Sequence, residues 1–226
     1  VYDLLSMITS AIAVAFAIVV HESAHALAAY LLGDNTARER GRISFNPLAH
    51  IDPFGTVILP LLMIAAGGPV FAFAKPVPVY LGNLKHPKRD EILVSLAGPA
   101  SNILLALLAT LLLHAFGSMP ASIYVTMGTG AIDFAVLLFV SSISVNLSLA
   151  FFNLIPIPPF DGSSLLVPFL KGKALRTYYE LQRYTMPILI VVLYLLPSVL
   201  HIDLIDMYFS ATVDPLFFML LRFALG

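Results

Sequence analysis

Residues 21–25 read His-Glu-Ser-Ala-His, inside a segment apolar enough to cross a membrane. His21 and His25 are four apart, so on a helix they project from one face about a turn apart, and both imidazoles can ligate one zinc ion. Glu22 sits beside them, placed to take a proton from a water that the metal activates. Ionisable side chains at bilayer depth are expensive and usually functional, and here three fall within five residues. Two histidines and a glutamate merely buried against neighbouring helices are the weaker reading.

The elements that must carry this cluster are membrane helices. Of 226 residues, 59% are hydrophobic and 11% charged, and the mean hydropathy is +0.94. These values place the chain among integral membrane proteins, as one membrane-embedded domain over residues 1–226 with no room for a second sizeable soluble one. A net charge of −1 gives no general attraction to nucleic acid, and the absence of cysteine excludes disulfides, thiolate zinc sites and a thiol nucleophile. No cleavable signal peptide is expected, because the first apolar run lacks a basic start and itself carries the histidines.

Six apolar stretches stand out, at about 4–32, 54–74, 92–116, 130–155, 186–200 and 204–225. The expected fold is therefore all-α and polytopic, with five to six transmembrane segments. The stretch 54–74 contains Pro60, Gly67, Gly68 and Pro69 and makes a poor continuous helix. If it dips into the membrane and returns, all twelve Lys and Arg residues fall on one side, so the positive-inside rule favours a re-entrant element, with the N-terminus outside and the C-terminus in the cytoplasm. A backbone loop at that depth is tolerable only against protein or a wet cavity, which puts an active site nearby. Residues 37–52 read as extended, and a short membrane-associated β hairpin is expected between this segment and residues 75–79, whose prolines restrict them to an edge. Asp52-Pro53 reads as the cap and first turn of the next helix.

A zinc peptidase needs a third protein ligand and an open fourth position. After the fourth apolar stretch comes Asn153-Leu-Ile-Pro-Ile-Pro-Pro-Phe-Asp161-Gly162. Asp161, on a rigid proline-rich turn at a helix end, is the candidate, against the alternative of a solvated loop aspartate. In the re-entrant topology the first and fourth stretches both end on the cytoplasmic side, so their ligands can meet at similar depth. Ser142, Asn146 and Asn153 recur at spacings of four and seven along the fourth stretch and form one polar face. Helix–helix contact is the simpler reading for Ser142. Asn146 divides evenly between that role and substrate binding, and Asn153 falls on the functional side. His50 has a lesser claim to the site, and His86, His114 and His201 read as interfacial residues. Pro99 should kink the third helix and free the Ser95 carbonyl for Ser101 or Asn102. Lys171, Lys173 and Arg176 read as anchors to anionic headgroups.

With these motifs in place the chain resembles the site-2 protease family of intramembrane zinc metalloproteases. The resemblance rests on His21 to His25, on Gly98-Pro99-Ala100-Ser101-Asn102, and on Asn153 through Asp161-Gly162. Phe45-Asn46-Pro47, His50-Ile51-Asp52-Pro53 and Ala74-Lys75-Pro76-Val77-Pro78 resemble segments of compact prokaryotic members. It covers residues about 1–170, the catalytic core; the C-terminal helices at about 186–225 are less diagnostic. It implies one zinc ion held by His21, His25 and Asp161, Glu22 as general base, and Asn153 as a group that holds the substrate backbone or stabilises the oxyanion. Gly98, Pro99 and Asn102 match a structural element near the site. The implied substrate is the transmembrane segment of a single-span protein, cut in the bilayer of a prokaryotic inner membrane with the active site towards the cytoplasm. Two departures are that no PDZ-sized insertion separates the core helices and no CBS-type domain is expected after the last span. Ile43 and Val77, on the two extended segments, are candidates to hold the unwound substrate by strand addition. The alternatives are a membrane-embedded protease that cuts soluble segments at the surface, and a non-catalytic metal-binding protein or transporter. Transporters tend to repeat their broken helices in two halves, and this chain has no such repeat.

Overall fold

The computed structural model describes residues 2–58, 74–184 and 203–226. Four of the described helices are long and apolar enough to cross a membrane: α1 (Tyr2–Leu31), α3 (Pro87–Gly117), α5 (Thr129–Asn153) and α7 (Leu204–Leu225). Between them lie three shorter helices, α2 (Thr36–Glu39), α4 (Ala121–Met127) and α6 (Gly172–Leu181). The chain is an all-α polytopic membrane protein. α1 has 30 residues, which at about 1.5 Å each is ample for a hydrocarbon core about 30 Å thick. Its exposed large side chains, Leu4, Met7, Ile12 and Phe16 among them, are those a lipid-facing surface needs.

The chain divides into two compact units, each built from discontinuous segments. One comprises Val1–Ala17, Pro99–Asn153 and Ile205–Gly226. Its core is Ala106, Ala109 and Leu113 of α3, Ile143 and Leu147 of α5, and Val213 and Ala224 of α7. Small residues let these helices approach closely, as lipid supplies no hydrophobic drive between helices. Polar groups in this unit are paired internally. Asn102 Nδ2 donates to Asn146 Oδ1 at 2.8 Å and to the Ala17 carbonyl at 3.2 Å. Asn146 Nδ2 donates to the Ser142 carbonyl, and Tyr208 Oη to the carbonyl of Phe151.

The other unit comprises Ile18–Gly98 and Leu154–Leu204. Asp34, fully buried just past α1, organises its polar side. One carboxylate oxygen accepts from the Thr36 amide and hydroxyl and from Asn83 Nδ2; the other accepts from the Tyr80 amide. Asp52 caps the helical turn Pro53–Ile58 by accepting from the amides of Phe54 and Gly55 at 3.0 and 2.7 Å.

Two sequence expectations change. No strand occurs among the described residues. Residues 42–46 and 75–79 lie together, but through the Lys75 amide on the His50 carbonyl at 2.9 Å and the Arg42 guanidinium on the Lys75 carbonyl rather than a ladder. Pro76 and Pro78 offer no N–H, and Pro47 opens a 3₁₀ turn that ends the extended run. The third apolar stretch also begins earlier, at Pro87, because Asp90 caps the helix start by accepting from the His86 amide. The spanning or re-entry of 54–74 turns on residues 59–73, and the stretch 186–200 likewise lies outside the described residues.

Candidate metal centre

His21 and His25 stand one turn apart on α1, only 5% and 8% exposed. Their rings meet edge to face with centroids 4.6 Å apart, and their Nε2 atoms are 3.0 Å apart. His25 Nδ1 lies 2.7 Å from the carbonyl of Val94 on α3. A carbonyl only accepts, so Nδ1 carries a proton and Nε2 is the nitrogen that faces the site. The second histidine therefore has its ligating tautomer set by a backbone contact, the usual device at a metal-bound imidazole.

Asp161 comes from the other end of the unit's sequence. After α5 the chain turns through Ile155–Phe160, with Ile157 and Phe160 amides bonded to the carbonyls of Ile155 and Ile157. It then enters a 3₁₀ segment, Asp161–Phe169. Gly162 packs directly on Leu154: a Cβ there would lie 2.9 Å from Leu154 Cα and closer to its carbonyl. That contact folds the proline element back on itself and sets the backbone from which Asp161 projects. Asp161 Oδ2 lies 3.2 Å from His21 Nε2 and 3.3 Å from His25 Nε2. Burial works against ionisation of Asp161, but the two histidines beside it outweigh burial and hold its carboxyl below the usual carboxylate range. It is therefore ionised, the form that ligates a metal.

The three donor atoms lie within 4.8 Å of one another. Asp161 Oδ2 is buried and makes no hydrogen bond of good geometry, and Gly98 leaves open the space beside the imidazoles. A Cβ at Gly98 would lie 2.6 Å from His21 Cε1 and Nε2, and closer still to His25 Nε2. Two imidazoles and one carboxylate converging at a cleared position are a donor set that fits zinc with a fourth site left for water or substrate. Glu22 is half-buried beside its neighbours on α1.

A surrounding layer holds these groups. Ser23, inside the HExxH, donates to the Ser44 carbonyl at 2.7 Å, and His50 Nε2 reaches the same oxygen at 2.8 Å. α6 contributes two adjacent tyrosines. Tyr178 Oη is 3.2 Å from Ser163 Oγ, two residues past Asp161. Tyr179 donates to Glu91, one turn before Val94, at 2.7 Å. Both phenols are pushed up, first by burial; at Tyr179 the Glu91 carboxylate adds to the effect.

Of the residues singled out in the sequence, His21, His25, Glu22, Asp161 and Gly98 occur together here. Ile43, 36% exposed, and Val77, half-buried, lie on the irregular segments of this unit. Pro99, Asn102, Asn146 and Asn153 belong to the other unit, where Asn153 Nδ2 donates to the Leu149 carbonyl at 3.0 Å. The Val94 carbonyl, Tyr178 and Tyr179 had no sequence signal, since a backbone acceptor has no residue type and tyrosines on a surface helix suggest nothing catalytic.

Residues 118–196, which include Asn153 and Asp161, match the profile of peptidase family M50. The chain is 42% identical over 149 residues to YwhC of Bacillus subtilis, covering 65% of this chain and 62% of the relative. It is 33% identical over 173 residues to Rip2 of Mycolicibacterium smegmatis, covering 76% of this chain and 61% of that protein. Rip2 of Mycobacterium tuberculosis is 31% identical over 178 residues, 79% of this chain and 63% of the relative. The chain belongs to peptidase family M50. All three relatives carry the name putative zinc metalloprotease. The chain spans a little over three fifths of their length. No solved structure gives a significant match. The M50 profile begins after the HExxH, so the family match and the His21–His25 pair are separate observations that converge on the same Asp161.

Proposed function

We propose that this M50 chain is an intramembrane zinc endopeptidase that hydrolyses a peptide bond within the transmembrane segment of a single-span membrane protein. The observation that carries the reading is the convergence of Asp161 on His21 and His25, which, with Glu22 adjacent, lie on a helix apolar enough to span the bilayer. Zinc, when bound, supplies a Lewis acid that polarises the scissile carbonyl and brings the pKa of a water to roughly 7. Glu22 accepts the proton of the attacking water and delivers one to the departing amide nitrogen. His25, fixed by Val94, and Asp161, fixed by its turn, keep the donor geometry constant through the reaction. Asn153 is the candidate donor to the developing oxyanion, a role whose loss typically costs about 100- to 1,000-fold in turnover. Ile43 and Val77 flank the path by which an unwound segment would lie extended, since a helical substrate hides its amide bonds. The distribution of the twelve Lys and Arg residues supports a cytoplasm-facing site in a prokaryotic inner membrane.

The test is cleavage of a single-span reporter in detergent by the wild type and by Glu22→Gln, both loaded with zinc, with the cut mapped by mass spectrometry. Cleavage by the wild type alone, inside the apolar segment, is the expected result. Equal behaviour of the two proteins would remove the HExxH from the chemistry, and a cut confined to soluble flanks would favour a surface protease.

A further inference from the structure

The proline turn and 3₁₀ segment around Asp161 also form one wall of a second cavity. An apolar groove of about 600 Å³ opens between them and α6, lined by Pro158, Leu166, Leu170, Ala174 and Leu181. α6 supplies the other wall because Lys173, Ala174, Thr177, Tyr178 and Leu181 fall on one face of a helix. Lys173 is the one charged residue in the lining. Arg176, three residues on, and Lys171, two residues before, are exposed beside it. Lys88 brings a fourth cation, its Nζ donating to the carbonyl of the lining residue Leu170 at 2.9 Å. None of the four forms an ion pair among the described residues, and the carboxylate of this helix, Glu180, lies about two turns beyond Lys173. Phe169, next to Leu170, is 84% exposed, the setting of a side chain that dips into lipid. Pro158 follows the end of the spanning helix α5 by five residues, which keeps the groove near the membrane surface.

We propose that this groove is a binding site for an anionic phospholipid. One acyl chain lies between α6 and the 3₁₀ segment, and the headgroup phosphate meets Lys171, Lys173 and Arg176. Apolar walls beside a cluster of unpaired cations suit a molecule with an alkyl chain and a negative head. An extended peptide suits them less. Its buried amides need partners, and the polar side chains of the lining are Lys173, Thr177 and Tyr178, the last already 3.2 Å from Ser163 Oγ. A chain in the groove packs on Tyr178, and Ser163 is two residues past Asp161. Occupancy therefore steadies the turn that presents Asp161. The site stands whether or not the chain cuts peptide bonds.

The test gives the full chain, purified in a neutral detergent, phosphatidylglycerol or phosphatidylcholine with a photoreactive group at the end of one acyl chain. Labelled residues are mapped by mass spectrometry, and thermal unfolding is followed in parallel. Phosphatidylglycerol is expected to label the groove around Leu166, Ala174 and Leu181 and to raise the unfolding temperature more than phosphatidylcholine does. Lys171→Gln, Lys173→Gln and Arg176→Gln together should weaken that labelling about 100-fold and abolish the extra stabilisation, with lipid-free unfolding unchanged. Ala174→Phe keeps the cations and fills the groove, so the label should move elsewhere. If the triple variant proves less stable, the headgroup preference of the wild type and the Ala174→Phe result decide the matter. Groove labelling that ignores the headgroup, survives the triple substitution in a stable protein, or persists in Ala174→Phe would overturn the site. Displacement of the lipid by an equal concentration of glycerol phosphate would reduce it to a phosphate site. Preferential labelling by an acidic peptide carrying the same photoreactive group would make it a peptide site, and either result would overturn the assignment to lipid.

Discussion

Gly98→Ala gives the sharpest structural test, because it predicts opposite signs for two measurable quantities. Gly98 lies inside α3, where alanine ordinarily favours the helix over glycine by about 1 kcal/mol. The new methyl would lie 2.6 Å from His21 Cε1 and Nε2, however, where ordinary contact begins at 3.4 Å. The imidazoles must therefore retreat by about 0.8 Å, and His25 Nε2 by more. Zinc–ligand distances tolerate only about 0.2 Å, so the pair cannot keep its position opposite Asp161. Loss of an orienting contact at a metal site costs about 10- to 100-fold in affinity, and direct displacement of two ligands should reach at least the upper end. The assay is competition for zinc against a chelator with the purified chain in detergent, beside thermal unfolding of the metal-free protein. The expected result is zinc affinity down by about 100-fold or more and a metal-free unfolding temperature equal to or above wild type. Wild-type zinc affinity in Gly98→Ala would refute the placement of both histidines against α3.

Three other perturbations probe the surrounding structure. Asp34 has its carboxyl held below the usual range, because four hydrogen bonds outweigh the opposing effect of burial. Its contribution is present above the unfolded value near roughly 3.9 and is lost as pH falls through the lower folded value. The unfolding temperature should thus drop on acidification below about pH 4, and Asp34→Asn should flatten that slope and cost about 1–3 kcal/mol at neutral pH by calorimetry. Tyr179→Phe strips the buried Glu91 of its 2.7 Å donor and should destabilise the fold by about 1–3 kcal/mol; an unchanged melt would mean that water serves Glu91 equally well. Proline at Ile43 or Val77 should reduce reporter cleavage while zinc stays bound, and undiminished turnover in both would count against a substrate path along these segments.

How much of this was legible in the sequence depends on where each signal lies. The spacing of His21 and His25 survives into the structure because a helix converts four residues into one face. The apolar stretches at 4–32, 92–116, 130–155 and 204–225 return as α1, α3, α5 and α7 to within a few residues. Asp161 could be named because prolines and Gly162 around a lone carboxylate mark a rigid turn. The groups that aim the ligands were less visible. Gly98 enters the sequence reading only as part of a structural element near the site, and its work, the absence of a Cβ beneath two imidazoles, is a property of a tertiary contact. The β hairpin failed for a local reason: its two segments do meet, but through the Arg42 guanidinium and the backbone of Lys75 and His50, a pairing that alternation of residue types does not encode.

The central claim is that His21, His25 and Asp161 together hold one zinc ion, and zinc K-edge absorption of the purified, zinc-loaded chain tests it most directly. The account predicts one zinc per chain with two imidazole ligands and light-atom donors completing a coordination number near about four. It also predicts that occupancy falls away in His21→Ala, His25→Ala and Asp161→Ala alike. Zinc retained at full stoichiometry with an unaltered spectrum in any of the three variants would contradict it.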